Sequence, residues 1–266
     1  MARGPEAPSL ANAVLAWCVA GFILAPLIII VPMSFSAASS FEFPPLRYWL
    51  GHYRTYFSSA DWLQPTLNSF LVGIASSALT LLVATPAAFA VNRREFAGRR
   101  ALQILLLTPM LVPSIIMAIS YYSVFGSLGL NQTYTGIILA HSCVSIPVVL
   151  IAMSASLRNL DRNLERAAAI CGATPTQSFR LVTLPLLRPA FILAGFFAFI
   201  HSFDEATISL FISGREVSTL PKRMFASIHL EADPVVAVVS ALMIFIAVFA
   251  MAIATLLRQR RQPARA

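Results

Sequence analysis

Six stretches of this chain are each long and apolar enough to cross a lipid bilayer, and they restrict the possible folds more than any motif does. A helix rises about 1.5 Å per residue, so roughly 20 apolar residues span a hydrocarbon core of about 30 Å. The stretches run approximately from Leu10 to Phe35, Thr66 to Val91, Ala101 to Phe125, Tyr134 to Ser154, Pro189 to Ile212 and Pro234 to Leu257. Backbone amides in hydrocarbon must be satisfied within their own segment, which favours helices. The expectation is an all-α polytopic membrane protein with six transmembrane helices. With 58% hydrophobic and 11% charged residues among 266, the chain lies far from soluble-domain averages. The first stretch exceeds the ~7–15 apolar residues of a signal-peptide core, so it reads as a retained anchor.

The net charge of +8 raises two partners, nucleic acid and acidic lipid. Position decides between them. If the amino terminus is cytoplasmic, fourteen of the nineteen basic residues fall in inside segments, around Arg93–Arg100, Arg158–Arg188 and Arg258–Arg265 and at Arg3. The outside segments hold Arg47, Arg54, Arg215, Lys222 and Arg223. This asymmetry places both termini in the cytoplasm by the positive-inside rule. The arginines flank spans rather than form a base-reading face, so lipid is expected and nucleic acid is not.

Several chemistries are unsupported. The only lysine, Lys222, follows Pro221, whereas a phosphate-binding P-loop needs lysine directly after glycine. No zinc-protease or serine-hydrolase motif is present, and His52, His141, His201 and His229 are scattered, so an enzyme with its own ATP site is not expected. Cys18, Cys143 and Cys171 form no CxxC pair. His141 and Cys143, two apart, point to different helix faces, which argues against a metal site. No cofactor is expected.

The inside stretch from Ala155 to Arg188 reads as two short helices. Leu157 to Cys171 are good helix formers, with Asp161 and Glu165 spaced to pair with Arg158, Arg162 and Arg166. Gly172 ends this helix in a left-handed conformation. Thr174 suits the N-cap of the next, Pro175 its first position and Gln177 the third position of a capping box. Phe179 and Val182 give that helix an apolar face, and Pro185 and Pro189 end it where the fifth span begins. An ordinary helical hairpin and a functional docking element fit these residues equally.

Ala167, Ala168, Gly172, Val182, Leu184 and Pro185 fall at the spacing of the EAA loop, and the segment resembles that loop in permease subunits of ABC importers of the MetI-like, type I class. The resemblance implies that this helix docks in a groove of a cytoplasmic ATPase, with Glu165, Arg166, Ala167, Ala168, Gly172, Leu184 and Pro185 as coupling residues. One position departs: Arg166 stands where the family has glutamate, and Glu165 comes one residue early. Leu67-Asn68-Ser69, Pro109, Pro113, Ser202-Phe203-Asp204-Glu205, Thr219-Leu220-Pro221 and Asp233-Pro234 look like the spermidine/putrescine branch. Similar permeases carry opines, phosphonates and thiamine. The resemblance implies a half-pore needing a second permease subunit, as a heterodimer, two ATP-binding cassette subunits, and a periplasmic or extracellular solute-binding protein at the inner (plasma) membrane of a bacterial cell. The expected organisation is an anchor and periplasmic segment over 1–65, a five-helix permease core over 66–257 carrying the loop at 155–188, and a basic tail over 258–266.

Asp204 and Glu205 lie within the fifth apolar stretch, where each charge costs on the order of 3 kcal/mol. No stretch core holds Lys or Arg, and His201, three and four residues earlier, is the nearest titratable group. A solute-pathway role for Asp204, Glu205 and His201 suits a cationic amino solute. A structural role, or a proton relay in a proton-coupled secondary transporter, stays open. Tyr48, Trp49, Tyr53, Tyr56 and Trp62 read as an interfacial aromatic belt, with contact to a binding protein as the alternative.

Overall fold

The computed structural model describes residues 10–261. Arg3, Arg265 and the end of the basic tail lie outside them. The elements are α1 (Leu10–Met33), α2 (Gly51–Ser58), α3 (Ala60–Arg93), α4 (Arg99–Leu107), α5 (Ser114–Ser127), α6 (Tyr134–Asn159), α7 (Arg162–Ile170), α8 (Pro175–Ser178), α9 (Leu184–Phe203), α10 (Ala206–Ile212), α11 (Leu220–Leu230) and α12 (Val235–Arg261). A 3₁₀ turn, Thr108–Met110, follows α4, and a π turn, Phe179–Thr183, joins α8 to α9. Among the described residues there is no strand, only an isolated bridge between Ser36 and Tyr48.

Among the described residues four helices meet the length and apolarity needed to cross a membrane: Asn12–Met33, Ala60–Arg93, Tyr134–Asn159 and Pro175–Phe203. The third expected span is a bent pair, Arg99–Met110 and Ser114–Ser127, meeting at 100°. Pro113 lacks an amide hydrogen and disfavours helical geometry at Val112, which explains the break there. The last expected span includes a shorter apolar helix, Val235–Phe249. Four to five crossings are therefore supported by length and composition.

The chain forms two compact units. Met1–Leu63 and Ala226–Ala266 make one, in which α12 packs on α1 and α2. In it α1 leaves Trp17 and Phe22 79% and 81% exposed, an apolar surface suited to lipid. Tyr56 and Trp62 of the expected aromatic belt are buried, whereas Tyr48 and Trp49 are exposed.

Gln64–Phe225 make the other unit, whose frame is set by polar contacts between α3 and α6. Ser76 Oγ donates to the Ile138 carbonyl at 3.3 Å, Thr80 Oγ1 to the Ser142 carbonyl at 3.2 Å and Asn92 Nδ2 to Ser154 Oγ at 2.8 Å. The separation is 62 residues every time, so the two helices run parallel in one register. α9 returns antiparallel against α6: Ser202 meets His141 and His201 meets Ser145, while Leu187 shares a buried cluster with Leu157. Ala84, Ala88, Ala194 and Ala198 in that cluster are fully buried, and alanines four apart let helix backbones approach closely. Gly73 serves the same end, since a Cβ there would sit 2.8 Å from the Phe199 ring.

Candidate functional site: a helical handle and a broken span

The segment between α6 and α9 is built from local signals. Asp161 is the N-cap of α7, its side chain accepting from the Asn163 amide at 2.9 Å. The helix expected from Leu157 to Cys171 is therefore two, with α6 ending at Asn159. Gly172 stops α7 at φ +86°, a conformation that side chains resist. The capping box forms as expected: the Gln177 amide donates to Thr174 Oγ1 at 3.3 Å, and the Thr174 amide donates to Gln177 Oε1 at 2.8 Å. Pro185 and Pro189 do not end the second helix. The π turn widens the backbone just before Pro185, relieving the clash its ring would make with the carbonyl four residues earlier, and α8 continues into α9.

The expected pairing of Asp161 and Glu165 with Arg158, Arg162 and Arg166 is not made. Asp161 is used as the cap. Glu165 turns toward the helix bundle, where Thr183 Oγ1 donates to Glu165 Oε1 at 2.8 Å and Arg93 Nη2 lies 3.9 Å from the same oxygen. Arg93, the last residue of α3, also donates to the Leu160 carbonyl at 3.3 Å. One carboxylate thus links α7 to the end of α3 and the base of α9. Beside it is a cavity of about 780 Å³ lined by Pro86, Phe89, Arg94, Ala169 and Phe179 among others. Arg166 and Ala167 face solvent and Ala168 is half-buried. Ile170 is 87% exposed. Leu184 and Pro185 are half-buried at the start of α9.

The fifth apolar stretch is interrupted at Asp204–Glu205. α9 ends at Phe203, and Glu205 is the N-cap of α10, its Oε1 accepting from the Ile208 amide at 3.0 Å. Asp204 is exposed, and among the described residues its carboxylate makes no hydrogen bond or ion pair. His201 is half-buried, with Nδ1 3.4 Å from Ser145 Oγ. The two carboxylates differ: Glu205 closes a helix end and Asp204 is open. His141 has a role that sequence reasoning missed. Fully buried, it places Nδ1 2.9 Å from Ser202 Oγ and Nε2 3.1 Å from Ser209 Oγ, bridging α9 and α10 across the interruption. Two serines seven apart in an apolar stretch are the signal that could have identified it.

The opposite end of α3 and α6 carries a tight clamp. Asn68 Nδ2 donates to the carbonyls of Glu216 at 2.8 Å and Ser218 at 2.9 Å. Its Oδ1 accepts from Tyr134 Oη at 2.8 Å and from Gln64 Nε2 at 3.1 Å. Ser69 Oγ accepts from the Leu220 amide at 2.8 Å, so Asn68-Ser69 and Thr219-Leu220-Pro221 form one structure. Lys222 donates to the Ser213 carbonyl at 2.6 Å, and burial lowers its pKa from the usual lysine value.

Comparison with known proteins agrees with this architecture. Residues 78–263 match the family of binding-protein-dependent transport system inner membrane components. The trehalose transport system permease protein SugB of Mycobacterium tuberculosis is 29% identical over 209 residues, 77% of this chain and 76% of that protein. The spermidine/putrescine transport system permease protein PotC of Haemophilus influenzae is 26% identical over 249 residues, 91% of this chain and 94% of that protein. In a crystal structure of a bacterial ABC transporter that imports the acidic polysaccharide alginate, one chain superposes with a TM-score of 0.72. Identity there is 18%, with 97% of this chain and 100% of that chain covered. The chain belongs to the binding-protein-dependent transport system inner membrane component family, the MetI-like permease subunits of ABC importers.

Proposed function

We propose that this subunit forms half of an import pore for a small amino cation of the polyamine class, and that a separate ATPase drives it by gripping α7 and α8 from the cytoplasm. The observation that carries the reading is the segment between α6 and α9: locally capped, exposed on one side, and tied on the other to α3 and α9 through Glu165. A helix so placed passes an external push to two long helices at once. Ala167, Ala168 and Gly172 shape the gripped surface. Arg166 stands on it, and Leu184 and Pro185 carry its movement into α9. Two ATP-binding cassette subunits would serve this subunit and a second, non-identical permease subunit, with a solute-binding protein at the far face and both termini in the cytoplasm.

The solute class rests on Asp204. An open carboxylate at a break in an apolar stretch has to face water or a positive group, and a passing amine supplies the positive group. PotC, covered over 94% of its length, is a spermidine/putrescine permease, and SugB, covered over 76%, is a trehalose permease. His201 lies one helical turn earlier and belongs to the same pathway wall. Glu205 shapes the break. The proton-coupled carrier gives way to the family assignment, because these permeases work with a separate energy source.

The test is uptake by the full transporter in vesicles. Spermidine or putrescine is expected to enter, and to stop when ATP is depleted but not when the proton gradient is collapsed. Losing one charge-assisted contact costs about 1.5–3 kcal/mol. Asp204→Asn is therefore expected to lower cation uptake roughly 10- to 100-fold with assembly intact. Trehalose uptake in place of the amine, or full amine uptake by Asp204→Asn, contradicts the solute assignment.

A further inference from the structure

Charge on the solvent-facing side of α7 has one sign. Arg162 and Arg166 are four apart and Ile170 four further on, so the three form a single exposed stripe. Glu165, the one carboxylate within α7, is turned away and occupied by Thr183 and Arg93. Asp161 is spent on capping the helix. Arg162 is anchored, its Nη2 donating to the Asn92 carbonyl at 2.9 Å. Among the described residues Arg166 reaches only Asn163 Oδ1, at 3.4 Å, which leaves most of its guanidinium donors unused. Beyond it the Ile170 side chain, 87% exposed, is the most exposed large apolar group of α7, where Leu164 is 44% exposed.

We infer that α7 presents a basic, apolar-tipped docking surface, and that the groove receiving it in the partner ATPase is acidic, with a carboxylate facing Arg166 and an apolar floor under Ile170. The inference rests on the ATPase-docking reading above and adds the chemistry of the partner. An exposed guanidinium with unused donors is complemented by a carboxylate, which it can bind through two parallel hydrogen bonds. A mismatched ATPase would meet arginine with a buried cation, and like charges across an interface cost several kcal/mol. Arg166 therefore selects among ATPases, rejecting those built for the opposite charge.

The experiment measures binding of the cognate ATP-binding subunit to the assembled permease in nanodiscs, either all phosphatidylcholine or containing phosphatidylglycerol. Arg166→Glu is expected to weaken binding about tenfold or more in both bilayers, and Arg166→Lys to stay within about threefold of wild type. Because Arg166 is on the solvent face, neither change disturbs the fold, which a thermal melt checks. Pairing Arg166→Glu with a lysine at the groove carboxylate is expected to restore affinity. Equal affinity for wild type and Arg166→Glu overturns the inference while leaving the importer reading intact. A loss confined to phosphatidylglycerol bilayers overturns it as well, because Arg166 would then be reading lipid phosphate. Failure of the wild-type permease to bind any ATPase removes the importer reading itself.

Discussion

The two ends of the α3–α6 pair are held in opposite ways. At one end Asn68 has two donors and two acceptor contacts in use while 2% exposed, and Ser69 and Lys222 tie down the adjoining loop. At the other end α7 is attached through Glu165 and Arg162 beside a cavity of about 780 Å³, with Ile170 in solvent. Saturated buried hydrogen bonds rigidify a site, whereas few contacts around a void allow it to shift. The contrast is that of a fixed mount and a lever, and it places the moving part where the proposed ATPase would grip.

The largest expected effect comes from breaking the fixed end. Asn68→Ala removes four hydrogen bonds and strands two backbone carbonyls and a tyrosine hydroxyl. Each stranded buried group costs about 1–3 kcal/mol. A loss of roughly 3 kcal/mol or more is expected, read as a lowered melting temperature of the detergent-solubilised protein. An unchanged melt would mean that the two ends do not differ in this way. A smaller effect is expected at the lever. Gly172→Val forces a β-branched residue to φ +86°, costing about 1–3 kcal/mol locally, although a Cβ there meets nothing within 4 Å. Global stability should barely change, while solute transported per ATP hydrolysed falls. Wild-type coupling in this variant would remove Gly172 from the mechanism.

What the sequence revealed follows the range of the forces involved. Gly172, Thr174 and Gln177 were legible because a left-handed stop and a capping box are complete within a few residues. The partners of Glu165 were not, since Arg93 is 72 positions away and nothing local announces the pairing. Helix-face spacing instead suggested Arg158, Arg162 and Arg166. The break at Asp204 also escaped notice, because no proline or glycine marks it and glutamate is an uncommon N-cap. Pro113 stands at the break of the third stretch, but nothing local sets the 100° angle there. The clamp at Asn68 was visible only as two resembling motifs 150 residues apart, and the hydrogen bonds between them give those motifs a physical reason.

The central claim is that α7 and α8 are moved by a motor outside this polypeptide. Accumulation of labelled polyamine in proteoliposomes tests it most directly, comparing the permease subunits alone with the same subunits plus ATPase, loaded binding protein and ATP. Accumulation above the external concentration is predicted only in the complete mixture. Accumulation by the permease subunits alone would contradict the account.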